Sequence, residues 1–201
     1  MQTISMLALV TIVIAVLIVI IFKDWRVIAV ALGAQYLGAF ALVALSWPVN
    51  LAIVKLITGW MASSVIAFTC LRQNRERSQP EKAASLFFRG LTGLLVIVLI
   101  FILAPSMQER IFPGVDLVII QGGLMMMGMT LMQLGLNSEP YPVIISLFTF
   151  LSGFEVIHAA LELSTLLTGL FVVVNLGLSL AGVYLMVSAE ETSESIQEEE
   201  L

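Results

Sequence analysis

Cysteine, histidine and charge are all scarce in this 201-residue sequence: it has one cysteine, one histidine and charged side chains at 11% of its positions. A lone Cys70 excludes an intrachain disulfide, a cysteine-ligated iron–sulfur cluster and a multi-cysteine zinc site. One histidine, His158, supplies no plausible metal set, and no Ser–His–Asp, HExxH or phosphate-loop pattern occurs. The expectation is a chain that holds no cofactor and carries out no catalysis alone, so that any redox chemistry belongs to partners.

What the sequence has instead is apolar length. Hydrophobic residues make up 60% of it and its mean hydropathy is +1.07, far outside the range of soluble domains. It reads as an integral membrane protein. The net charge of −5 is a property of the end of the chain, because Glu190, Glu191, Glu194, Glu198, Glu199 and Glu200 are six of its fourteen acids. Without them nine cationic side chains face eight acids, and nothing points to nucleic acid. The opening Met1-Gln-Thr-Ile-Ser lacks the positive region of a signal peptide, and the apolar stretch to Phe22 is too long for one. It is expected to be a permanent span.

A bilayer-crossing helix needs about 20 mainly apolar residues. Breaks at charged or proline-bearing stretches, including one from Pro105 to Pro113, divide the chain into about seven such segments, near 3–22, 26–46, 48–71, 86–104, 115–136, 141–163 and 166–188. Connections alternate sides. Lys23, Arg26, Arg72, Arg75, Arg77, Lys82 and Arg89 then share one side and Arg110 takes the other, so the positive-inside rule puts the N-terminus outside and the C-terminus in the cytoplasm. The predicted architecture is an all-α multi-pass bundle: a four-helix part over 1–113, a three-helix module over 114–189 and an acidic tail over 190–201. That tail reads as a solvated, disordered end. The basic loop from Arg72 to Ser85, with Gln79-Pro80 in its middle, reads as an ordinary cytoplasmic loop, with a lipid-headgroup or subunit contact as the alternative. Consecutive methionines in Met125-Met-Met-Gly-Met129 point around a helix, which favours packing over thioether metal binding.

Against this apolar background a few polar residues stand out. Glu155, His158 and Glu162 fall within roughly 60° of arc on one helix. A charge near the bilayer centre costs about 2.5–3.5 kcal/mol, which makes such a residue a functional candidate by default. Counting at 1.5 Å per residue puts Lys55, Glu155 and Asn175 each roughly 12–14 Å from the outer end of its helix, with Gln35 slightly deeper. Thr168, Asn175, Ser179 and Gly182 form one stripe of small and polar residues, and Lys55, Gly59 and Ala62 another. Both stripes are expected to face the bundle interior. Lys55 is the natural partner of Glu155: desolvation favours a neutral carboxyl and a nearby cation an ionised one, so the balance changes when the partner moves. His158 and Glu162 suggest a branch towards the outer surface. The alternatives are a Lys–Glu pair that only locks two helices, a hydrogen-bonded interior histidine and a solvated interfacial glutamate.

From about Gly123 to Val187, three helices with Gly153-Phe154-Glu155 in the middle one resemble the small K-type subunit of complex I and the C-subunit of multisubunit cation/proton antiporters. In that family a Gly-Leu-Glu triplet supplies a membrane glutamate used in proton translocation. With the extra N-terminal helices, the whole chain resembles component E of the hydrogenase-four group, in which an Arg begins the second helix with a Gln nine residues later, as Arg26 and Gln35 do, and the third helix carries a lysine, as Lys55 does. The last helix of those relatives has a second acid where this chain has Asn175, which cannot titrate. Glu162 or a neighbouring subunit would then have to provide that site. The resemblance implies a non-catalytic subunit of a prokaryotic plasma-membrane assembly, partnered by a large antiporter-like subunit and other membrane subunits. Proton or cation translocation would use Glu155, Lys55, His158, Glu162, Asn175 and Gln35.

Overall fold

The computed structural model describes residues 2–72, 83–137 and 139–199. Among them it contains seven α-helices and no strand: α1 (Gln2–Ile21), α2 (Trp25–Val43), α3 (Val49–Arg72), α4 (Ala83–Arg110), α5 (Leu117–Leu136), α6 (Pro140–Leu161) and α7 (Thr165–Glu199). All seven are long and apolar enough to cross a bilayer, and the chain is a multi-pass membrane protein. In hydrocarbon every backbone group must be bonded within its own segment, which restricts the chain to uninterrupted helices joined by short turns. Local chemistry sets where the turns fall. Asp24 and Asp116 accept hydrogen bonds from Arg26 N and Val118 N at 3.0 and 3.2 Å and so cap α2 and α5. Pro140 opens α6 at a position that needs no N–H donor. Gly114 turns the chain before α5 with a φ of +90°.

Two expectations fail. The fourth span does not stop at Pro105: α4 continues through it to Arg110. A proline removes one ladder bond, whereas ending the helix in an apolar setting would strand several backbone groups at once. Likewise the acidic tail is not irregular, because α7 stays helical as far as Glu199. A helix that is already nucleated extends at little cost through Ala, Glu and Gln, which are good helix formers. Arg75, Arg77, Lys82 and Gln79-Pro80 of the basic loop lie outside the described residues, as do Glu200 and Leu201.

The bundle has two ends. The turns α2–α3, α4–α5 and α6–α7 lie at what we call the Trp47 end, and the connections α1–α2, α3–α4 and α5–α6 at the Arg89 end. Lys23, Arg26, Arg72 and Arg89 stand at the latter and Arg110 at the former. Arg89 ties that end together by donating to Ile20 O at 3.2 Å and Asn137 Oδ1 at 3.0 Å, across the last turns of α1 and α5. α2 packs on α1, α3, α5 and α6, while α4 and α7 occupy the flanks. Helices of the first four and the last three therefore interleave: α1 lies on α5, α2 on α6 and α3 on α7. Met125, Met126 and Met129 are fully enclosed in the apolar core around α1, α2 and α5, where they act as packing groups.

The tightest approach is between α5 and α6. A Cβ added to Gly153 would stand 2.7 Å from Gly123 O, and one added to Gly123 would stand 2.9 Å from Gly153 O. Backbone cannot yield as a side-chain tip does, so both positions require glycine. Gly153→Val is expected to lower the thermal midpoint of the detergent-solubilised protein, at a cost of at least about 1–3 kcal/mol. Gly169→Ala, inside α7 with nothing within 4 Å of the added atom, should not lower the midpoint, and alanine's helix preference should raise it slightly, when both are followed by circular dichroism.

Candidate functional site

Glu155 stands on α6, Lys55 on α3 and Asn175 on α7, and the fold brings the three together. Lys55 Nζ donates to Glu155 Oε2 in a direct salt bridge. Asn175 Nδ2 donates to Glu155 Oε1 at 2.7 Å and to Phe171 O, one turn back on its own helix, at 3.0 Å. Each carboxylate oxygen thus has its own donor, and the second amide hydrogen of Asn175 fixes the orientation of the first. Lys55 and Glu155 are only 8% and 7% exposed, so the pair exists in a medium of low dielectric where each charge depends on the other. With the helix ends now known, each is six residues from the Trp47 end of its helix, about 9 Å along the axis. That is shallower than expected, but the two remain at one level.

α3 and α6 do not pack directly on each other among the described residues. The long side chains of Lys55 and Glu155 bridge a gap, and beside them lies a cavity of about 20 Å³, enough for one water where about 10–15 Å³ is needed. The two small-residue stripes face inward as their spacing predicts. Thr168, Asn175 and Ser179 are buried on α7 and Lys55 and Ala62 on α3, and Ser179 Oγ donates to Ala62 O at 3.3 Å to join the stripes.

The other candidates do not contact the carboxylate. Gln35 is fully buried on α2 and accepts from Thr149 Oγ1 at 3.2 Å. Thr149 lies six residues before Glu155, about 9 Å along α6. His158 is half-buried, with Phe171 edge-on at 5.6 Å and Phe154 at 6.2 Å between ring centres. Its Nδ1 is buried with no partner among the described residues. The stripe through Glu155 and His158 does not extend to Glu162, because α6 ends at Leu161 and Glu162 is extended (φ −144°, ψ 134°) and exposed. The backbone N–H of Glu162 donates to His158 O at 3.0 Å, but among the described residues no side-chain hydrogen bond joins the two.

Sequence reasoning missed Tyr36 and Trp47. Tyr36 is 1% exposed, and its hydroxyl has no hydrogen-bond partner among the described residues. Its ring occupies the space a Cβ on Gly59 would need, one turn beyond Lys55. A tyrosine in mid-span beside Gln35, with glycine on the next helix, was the available signal. Trp47 looks like an interfacial aromatic at a turn but is 7% exposed and lines the cavity. Compared with protein-family models, curated proteins and solved structures, the chain matches none at a significant level.

Breaking a buried pair leaves one charge without compensation, at a cost of about 3–5 kcal/mol, whereas replacing both partners is often neutral. Lys55→Met should therefore lower the thermal midpoint more than the double variant Lys55→Met/Glu155→Gln. Additive losses in this cycle would mean that the two side chains are not coupled.

Proposed function

We propose that this chain is a membrane subunit of a complex I-like, membrane hydrogenase-like or multisubunit antiporter-like assembly, and that Glu155 is its protonatable centre. The observation that carries this reading is the enclosed Lys55–Glu155 pair held by Asn175 and bordered by a water-sized cavity. Lys55 holds the carboxylate charged while it stays in contact. Once the ammonium swings away, an isolated carboxylate in a dry interior takes up a proton, and its return expels that proton. Asn175 keeps the carboxyl in place through both states because it has no titratable group. Gln35 serves as an orienting group.

In this reading protons, or sodium ions, pass between this subunit and a large antiporter-like neighbour in a prokaryotic plasma membrane. Flavin, iron–sulfur, nickel or quinone chemistry belongs to other subunits. The clustering of Lys23, Arg26, Arg72 and Arg89 at one end supports a cytoplasmic C-terminus and an external N-terminus. A C-terminal reporter active only in the cytoplasm should be active, and the same reporter at the N-terminus silent.

A second reading is favoured by the gap between α3 and α6: the pair serves only to lock two helices that otherwise do not pack, in a structural or assembly subunit. The two readings separate in reconstituted, correctly assembled complex. Glu155→Gln is expected to abolish ion transport, and wild-type pumping by that variant would sink the main proposal. Poor assembly of Lys55→Met/Glu155→Gln, with normal transport by whatever complex forms, is the result the locking role requires. A stand-alone small-solute transporter has less support, since the sequence shows no clear inverted repeat and the described residues contain no pair of broken helices.

A further inference from the structure

The two sides of the Lys55–Glu155 pair are built differently. The cavity runs alongside the pair, from Trp47 and Thr168 on the Trp47 side to Thr58 and Asn175 at its inner end. The indole Nε1–H of Trp47 is buried and has no hydrogen-bond partner among the described residues. An indole is a donor only, so it calls for an acceptor in the space it borders. Thr58 Oγ1 donates to Val54 O at 2.8 Å and Thr168 Oγ1 to Ser164 O at 3.0 Å, which uses their hydrogens and leaves oxygen lone pairs to accept. With Lys55 and Glu155 the cavity therefore offers both donors and acceptors, the two to four polar partners that an interior water requires.

Beyond Thr58 and Asn175, towards the Arg89 end, lies solid packing. Tyr36, Ala62, Ile66, Ile144 and Phe148 belong to one apolar cluster and are each no more than 1% exposed. The glycines at 59 and 182 let this cluster close: a Cβ at Gly59 would strike the Tyr36 ring, and one at Gly182 would come within 2.9 Å of Ile144. Ser179 bridges α7 to α3 in the same layer. The cavity lining includes none of these residues.

The geometry points to one-sided access: a water-sized species reaches the Lys55–Glu155 pair from the Trp47 end, past Trp47 and Thr168 and as far as Thr58, and not from the Arg89 end. The entrance bypasses His158, which does not line the cavity and is faced by Phe171, which does. The meaning of this path for transport rests on the proposed role of Glu155, but the path itself is testable without it.

The test uses the full chain in sealed membrane vesicles of both orientations, with the one native cysteine removed as Cys70→Ser. Single cysteines are placed by Thr168→Cys and Thr58→Cys in the cavity and by Thr149→Cys beyond it. Ser46→Cys, exposed in the same turn as Trp47, identifies the face. Silver ion, comparable in size to water, is added from one side and quenched, and the thiols left unblocked are counted with a fluorescent maleimide after denaturation. Thr168→Cys and Thr58→Cys should be blocked at least tenfold faster from the Ser46 face than from the opposite face, and Thr149→Cys from neither. Equal rates from the two faces, or blocking of Thr149→Cys as fast as of Thr168→Cys, would overturn the path. One-sided blocking together with wild-type transport by Glu155→Gln would remove the transport role and leave the access path standing, so the two failures are distinguishable.

Discussion

A carboxylate and an ammonium inside a bilayer each carry an insertion cost of about 2.5–3.5 kcal/mol, and neither is tolerable there without the other. The rest of this bundle is arranged to keep them in contact. α3 and α6 remain apart, so each side chain must extend to reach its counterpart, and α7 supplies the amide that holds the second carboxylate oxygen. α2 contributes Tyr36, whose ring lies where Gly59 has no side chain and so closes the interior just beyond the lysine. Four helices thus converge on one charge pair. The stripes of small residues on α3 and α7 let those two helices lie close enough for Ser179 to bond the α3 backbone.

Such a pair responds to displacement more than an apolar contact of the same size does. Its attraction is large only while both groups are desolvated and touching, so a small movement of either helix weakens it sharply. A water-sized cavity borders the pair, and a packed layer lies beyond it towards the Arg89 end. Under the proposed role of Glu155, this asymmetry would give direction without a second acid at the position of Asn175.

The number of spans, their order and the inward faces of the polar helices were legible in the sequence, because the bilayer enforces length and apolarity and because small and polar residues recur at helical spacing. Lys55, Glu155 and Asn175 could be grouped by depth alone. Three features resisted that logic. Pro105 reads as a stop but costs a helix one bond, whereas stopping would cost several. The Glu-rich end reads as disorder from composition, yet it continues a helix that is already formed. Glu162 shares an arc with Glu155 only if the helix reaches it, and α6 ends one residue earlier. Tyr36 and Trp47 were hidden for another reason: aromatic residues in apolar spans carry no periodic signal, and their burial depends on glycines and turns of other helices.

The triplet Gly153-Phe154-Glu155 gains a physical meaning from this arrangement. Two residues apart on a helix is about 200° of rotation, so the glycine and the glutamate point to nearly opposite sides of α6. The glycine side is pressed backbone to backbone against α5, and the glutamate side faces the gap towards α3 and α7. α6 is therefore clamped on the side away from the chemistry. Any displacement that parts Lys55 from Glu155 falls to α3, which meets α6 only through side chains, or to α7, which lies at the flank of the bundle. α5 and α6 thus form the fixed reference against which a movement of α3 or α7 would alter the charge pair.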